Sequence, residues 1–167
     1  MVERQFYMKE IELSQGHKAL VDDEDYDKVN ALTWHVHDYG NGLRYAERTR
    51  RVDGKTQTIR MHQFVSGAVG VDHINNNGLN NQKNNFRPAT KHQQQMNKRP
   101  YATRKGAATT SKYKGVSWRK KSWRVVIHLH SKQKYIGSSK CEITAAKMYD
   151  IAAFEHFGEF AFLNFPK

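Results

Sequence analysis

VDHINNNGLNNQKNNFR, residues 71–87, sets seven asparagines between an Asp-His pair and an arginine. One reading is a polar, turn-rich loop, because Asn and Gly tolerate left-handed backbone and Asn side chains cap their own chain. The other is a metal-dependent nuclease site headed by Asp72 and His73. The weight of the second depends on the rest of the chain.

From His73 through Cys141 there is no Asp or Glu, yet 16 Lys and Arg fall there; the remaining residues carry 12 basic and 16 acidic side chains, a net charge of −4. Such a stretch repels itself unless a polyanion neutralises it, and nucleic acid is the expected partner. The whole chain of 167 residues has a net charge of +12 and is 38% apolar, which suits one ordinary domain or two small ones. No run is long and apolar enough to span a bilayer, and MVERQFYMKE lacks the apolar stretch of a signal peptide, so we expect no membrane partner and a cytoplasmic location. With Cys141 the single cysteine, an intrachain disulfide or a zinc knuckle built on paired cysteines is excluded, and any metal must use oxygen and imidazole ligands.

Before the asparagine segment, KEIELSQGHKALV (9–21) predicts two short strands around a Gln-Gly turn. DDEDYDKVNAL predicts a short helix, with acids at its N-terminus and Tyr26, Val29 and Leu32 at helical spacing. Residues 34–65 alternate through Gly-Asn-Gly and Asp-Gly turns, the pattern of a three-stranded antiparallel meander that includes MHQFV. After it come a strand broken by Pro88, a short helix from about Thr90 to Lys98, and a small, basic, aperiodic linker over 99–112. KYKGVSWRK, SWRVVIHLH and QKYIGSS predict three strands. EITAAKMYDIAAFEHFG predicts a helix ended by Gly158, with Ile143, Ala146, Tyr149, Ile151, Ala153, Phe154 and Phe157 as the apolar stripe facing the sheet. The other sheet face, with Trp118, Arg119, Lys121 and Arg124 and with His128 adjoining, is left for a groove of duplex DNA. Trp123 fits core packing as well as DNA contact.

Phosphodiester hydrolysis needs a nucleophilic water, a base for its proton, and positive charge on the phosphate and leaving oxygen. Asp72 as a hard-cation ligand and His73 as the base divide that labour, with Mg²⁺ the expected cofactor, Mn²⁺ an alternative and no zinc. His62 reads as structural more readily than as cleft-lining, and Asn81 as shaping the loop.

MHQFV, then VDHIN, then NNFR before a short polar helix resembles the HNH nucleases, in particular the small phage and intron homing endonucleases; residues 11–37 resemble the leader of those phage proteins. KGVSWRKKSWRVVIHLHSKQKYIGSS followed by AAKMYDIAAFEHFGEFAFLNF resembles the AP/ethylene-response-factor DNA-binding domain. The resemblance implies that Asp72 is a metal ligand and His73 the general base. Asn85 would be the central Asn that orients the base or the metal loop. The last family position, a His or Asn on the short helix, falls at Gln94. That is a departure: Gln is one methylene longer, so the metal shifts, Asn97 one turn later serves, or activity is weak. For the C-terminal module the resemblance implies sequence reading by Trp118, Arg119, Trp123 and Arg124, with Lys120, Lys121 and Lys134 on phosphates. Arg99, Arg104 and Lys105 would order the linker along the backbone of the DNA.

The expected fold class is therefore α+β: an N-terminal mixed unit leading into a ββα-metal (HNH) nuclease, then a three-stranded antiparallel sheet packed on one helix. The expected domains are 1–98, with the ββα-metal core at about 54–98, a linker at 99–112, and 113–167. The expected activity is site-specific, metal-dependent cleavage of double-stranded DNA by a monomer, one strand at a time, leaving a 5′ phosphate and a 3′ hydroxyl. A DNA-binding regulator that has lost catalysis through Gln94 is the alternative, and an RNA-binding protein a weaker third.

Overall fold

The structure, a computed structural model, describes residues 7–40, 42–100, 103–104, 107–129 and 132–166. The fold is mixed, with several small antiparallel sheets and four α-helices among the described residues. Contacts divide the chain into two compact units, Met1–Lys91 and His92–Lys167. This division falls a few residues before the expected boundary at 98.

In the first unit β1 (Met8–Glu12) and β2 (Lys18–Asp22) form a hairpin, joined through a turn in which Gln15 and Gly16 both have positive φ. The acidic first turn of α1 (Asp23–Asn30) suits the positive end of its backbone dipole. A meander follows: β3 (His35–Asp38), β4 (Arg44–Val52) and β5 (Lys55–Arg60), in that spatial order. Its second turn is Asp53-Gly54, at φ 49° and 72°, the paired left-handed residues that a tight hairpin requires.

The meander stops earlier than the sequence predicts. Residues 61–66 form a helix, α2 (Met61–Ser66), instead of continuing a strand. Met61, His62 and Val65 are buried, a one-sided helical spacing that alternation would break, and Gly67 ends the turn in left-handed backbone. Strands β6 (Val71–His73) and β7 (Phe86–Pro88) then pair with the asparagine loop between them. The core comprises Ile11, Ala19, Val21, Val29, Trp34, Val36, Ala46, Met61 and Val65, with Leu13 at its margin.

The second unit opens with α3 (Lys91–Met96), whose first residue is the last of the first unit. Within the expected linker, β8 (Thr103–Arg104) pairs with β9 (Ala107–Ala108). A three-stranded sheet follows, β10 (Val116–Arg119), β11 (Ser122–Leu129) and β12 (Lys132–Ser139), packed against α4 (Glu142–Phe157). The expected sheet-on-helix module is present.

The stripe of α4 differs from the expectation. Ala145, Ala146, Tyr149 and Ala153 pack against the sheet and Ala152 is also buried, whereas Ile143, Ile151 and Phe154 are 50%, 62% and 61% exposed. Residues two apart point about 200° apart on a helix, so Ile151 cannot share a face with Tyr149. The alanines let the helix come close to the sheet. No helix among the described residues is long and apolar enough to cross a membrane.

Candidate functional site

The asparagine loop is a wound scaffold, and its amides do the winding. Register sets His73 opposite Phe86 and Asp72 opposite Arg87. At the base of the loop the Ile74 amide donates to the Asn85 carbonyl (2.9 Å), and the Asn76 amide to the His73 carbonyl (3.1 Å). Asn76 itself sits at φ 57°, where Asn is tolerated. Asn85, buried, exchanges side-chain bonds across the loop. Its Oδ1 accepts from the Asn75 amide (3.1 Å), and its Nδ2 donates to Asn75 Oδ1 (3.0 Å) and to the Asn80 carbonyl (2.9 Å). Asn77 and Asn80 cap the amides of Leu79 and Gln82. The far side is tied to β2: Leu20 donates to the Leu79 carbonyl and accepts from the Asn81 amide, while Asp22 accepts from the Lys83 amide and the Gln82 side chain. Gly78 is required by proximity, since a Cβ there would lie 2.3 Å from the Arg44 carbonyl and 2.5 Å from the Tyr45 ring.

Inside this frame lies His73, 4% exposed. Its Nε2 is 3.3 Å from Oδ1 of Asn81, a residue fully withdrawn from solvent. The amide orientation of Asn81 follows from its other contacts. Nδ2 donates to the Leu79 carbonyl (3.2 Å) and to Met61 Sδ (3.4 Å), so a reversed amide would set two oxygens against each other. Oδ1 therefore faces His73, and Nε2 must carry the proton of the neutral ring. Nδ1 is then the lone-pair nitrogen. Spacing along the chain assigns Asn81 only to the shaping of the loop; its contact with His73 is a product of the loop's winding.

Around His73 stand Phe86, Tyr45 and His62, with ring centroids 5.4, 5.8 and 4.8 Å away. His62 is buried, and its Nδ1 has no hydrogen-bond partner among the described residues. Burial first, then the neighbouring His73 and Arg60, push its pKa down to about 3. Burial also lowers His73, and the Arg60 charge adds to this, against opposite contributions from the Asn81 bond and the Asp72 carboxylate. Both rings are neutral at pH 7, and a neutral imidazole can accept a proton.

Asp72 is half-buried, and its Oδ2 accepts from Arg87 Nη2 at 3.0 Å. A cation at Asp72 would share the carboxylate with this guanidinium. The donor types suit a hard cation, since a carboxylate and amide oxygens are what Mg²⁺ prefers. Gln94, half-buried on α3, and Asn97, buried just after it, belong to the second unit. There Lys114 Nζ donates to the carbonyls of Met96 (2.6 Å) and Lys98 (2.7 Å), closing the C-terminal end of α3. Among the described residues no three His, Cys, Asp or Glu side chains group as a metal cluster.

On the second unit's sheet, Ser117 and Arg119 of β10 pair with Arg124 and Ser122 of β11, and alternation puts this set on one face. Trp118 and Trp123 pair on the other face, their rings 5.0 Å apart. Trp123 packs against the core, while Trp118 is 42% exposed at the end of that face. The expected grouping of Trp118 with Arg119 on one face is therefore corrected, because adjacent strand residues point apart. Arg124 lies over the Tyr135 ring at 5.6 Å, and Lys120, Lys121, Lys134, His128 and Arg99 are exposed. Arg104 is in β8 by its backbone, and Lys105 lies outside the described residues.

Over 150 residues, 90% of this chain, the sequence is 26% identical to an uncharacterized HNH endonuclease of Acanthamoeba polyphaga mimivirus, of which the match covers 76%. Over 57 residues, 34% of the chain, it is 37% identical to an ethylene-responsive transcription factor of Arabidopsis thaliana, and likewise to an AP2-like ethylene-responsive factor of the same plant. These matches span only 13% and 16% of the plant proteins. No family model and no solved structure matches the chain.

Proposed function

We propose that the protein is a metal-dependent DNA endonuclease of the HNH type. The observation that carries this reading is the Asp72-His73 pair on β6, with the histidine neutral and its Nε2 proton held by Asn81 inside an amide-built loop. The similarity to the mimivirus endonuclease supports it over most of the chain. Residues 54–98 would supply the ββα-metal core and 113–167 an AP2-like module, with 99–112 between them. Similarity to the plant factors supports DNA contact by Arg119, Arg124, Lys120, Lys121, Lys134 and Trp118, and we add Arg99, Arg104 and Lys105 on phosphates. Trp123, packed against the core, would support that surface from beneath.

His73 Nδ1 takes the proton of the attacking water, and the Asn81 oxygen stabilises the imidazolium that forms. Asn85 holds the loop in register. Asp72 would hold Mg²⁺ or Mn²⁺, which when bound stabilises the 3′ leaving oxygen. The proposed substrate is double-stranded DNA, nicked by a monomer of homing type to a 5′ phosphate and a 3′ hydroxyl. A phage origin and a cytoplasmic location belong to the same reading.

One observation favours a second reading, a DNA-binding regulator without catalysis: Arg87 already engages the Asp72 carboxylate. Supercoiled plasmid incubated with the protein in Mg²⁺, Mn²⁺ and EDTA, beside His73→Ala, separates the two. Metal-dependent conversion to open circle that the variant loses supports the nuclease. Retention of DNA without scission in any metal supports the regulator.

A further inference from the structure

Arg60 ends β5 and precedes the buried Met61-His62 pair. Its guanidinium is fixed on four sides. Nε donates to Glu47 Oε1 (3.0 Å), Nη2 donates to the Tyr39 hydroxyl (3.1 Å), and the rings of Tyr39 and Tyr45 lie 5.3 and 4.9 Å from Cζ. Glu47, itself 2% exposed, also accepts from the Tyr39 hydroxyl at 2.7 Å. The frame uses two of the five guanidinium N–H groups, both on the Nε–Nη2 edge. The end edge, one hydrogen on Nη1 and one on Nη2, has no partner among the described residues, and the side chain is 37% exposed. A counter-ion for Glu47 would need only the first edge.

The group also faces the histidines. Tyr45 touches the guanidinium with one face and lies 5.8 Å from the His73 ring, and the Arg60 charge depresses both His62 and His73. A fixed cation with an open planar fork suits two oxygens of a phosphate, which accept parallel N–H bonds bidentately.

We propose that Arg60 is a phosphate-binding residue whose open Nη1–Nη2 edge takes the non-bridging oxygens of the phosphodiester presented to His73. This rests on the nuclease reading for the owner of the phosphate, while the anion site itself stands on the Glu47–Tyr39–Tyr45 frame. Because the fork is held before substrate arrives, little side-chain freedom is lost on binding.

The test is a titration of the whole protein with inorganic phosphate, following the Arg60 Nε–H and Tyr45 ring resonances, with chloride at matched ionic strength as control. Saturable shifts with phosphate alone, absent from the Tyr45 signals of Arg60→Gln, are expected. No saturable shift in the wild type, or an undiminished Tyr45 response in Arg60→Gln, overturns the proposal. The wild-type arm decides even if the variant does not fold. In the plasmid assay a folded Arg60→Gln is expected to lose about 100-fold in kcat/KM, as removal of a charge-stabilising donor does. Phosphate binding without cleavage of plasmid in any metal would leave the site standing and remove the nuclease reading; cleavage without phosphate shifts would do the reverse.

Discussion

His62 couples the fold to pH, by an amount the structure allows to be worked. Its ring is 5% exposed beside His73 and Arg60, and its pKa is pushed down to about 3. In the unfolded chain the same ring titrates near 6.5. Between these values the unfolded state binds a proton that the folded state refuses, so stability is present above the unfolded value and is lost as pH falls. At pH 4.5 the folded ring is still neutral while the unfolded one is about 99% protonated, which costs about 2.5 kcal/mol relative to pH 7. His73, also depressed, adds loss of the same sign. Urea unfolding followed at the amide of Ala46, buried in the same core, reads this directly at the two pH values. His62→Phe keeps a ring among Tyr45, His73 and Phe86 and removes the titration. The variant should lose about 2.5 kcal/mol less than wild type over the same interval. Equal losses in the two proteins would refute the buried neutral state assigned to His62.

Five other outcomes are expected. In a 15N spectrum of the neutral protein His73 should be the Nε2–H tautomer, and finding the Nδ1–H form would contradict the Asn81 contact. Asn81→Leu, which strands that proton in a buried place, should destabilise the first unit by about 1–3 kcal/mol in the same urea assay. Gly78→Ala forces a Cβ into the Arg44 carbonyl and the Tyr45 ring and should cost about 1–3 kcal/mol, or more if the loop detaches. If His73 is the base, plasmid nicking should hold its rate down through pH 6.5 and fall only below it, because the ring must be unprotonated and its pKa is lowered; an acid limb above 6.5 would count against it. Arg124→Ala, which removes an exposed-face cation, should weaken duplex binding and reduce the slope of log K against log salt by about one if it meets a phosphate.

Much of the fold is legible locally. The β1–β2 hairpin, the acid-started α1, the Asp53-Gly54 turn, the strand after the asparagine loop and the final sheet with its helix all follow from alternation, helical spacing and turn residues. These are preferences of a few neighbouring dihedral angles, and a few neighbouring residues encode them. Where the local reading failed, two local patterns competed. Residues 61–66 carry enough apolar side chains for a strand or a turn of helix, and burial of Met61, His62 and Val65 on one side chose the helix. On α4 the larger apolar residues suggested the core stripe, whereas the alanines made it, because close approach to the sheet favours small side chains there.

The sequence by itself determined the acid-free basic stretch, the oxygen-and-imidazole limit on any metal site, the element types outside residues 61–66 and the 99–112 linker, and Asp72-His73 at the head of an amide-rich loop. Only the tertiary structure decided which amide meets the histidine, that a second imidazole is buried against it, that Arg87 holds Asp72, and that Arg60 stands with half its fork bonded and half open. Each of these joins residues from different strands or loops, brought together by a core that local dihedral preferences do not specify. Side-chain burial and hydrogen-bond partnership are set by that packing, so spacing along the chain could nominate the residues but not pair them.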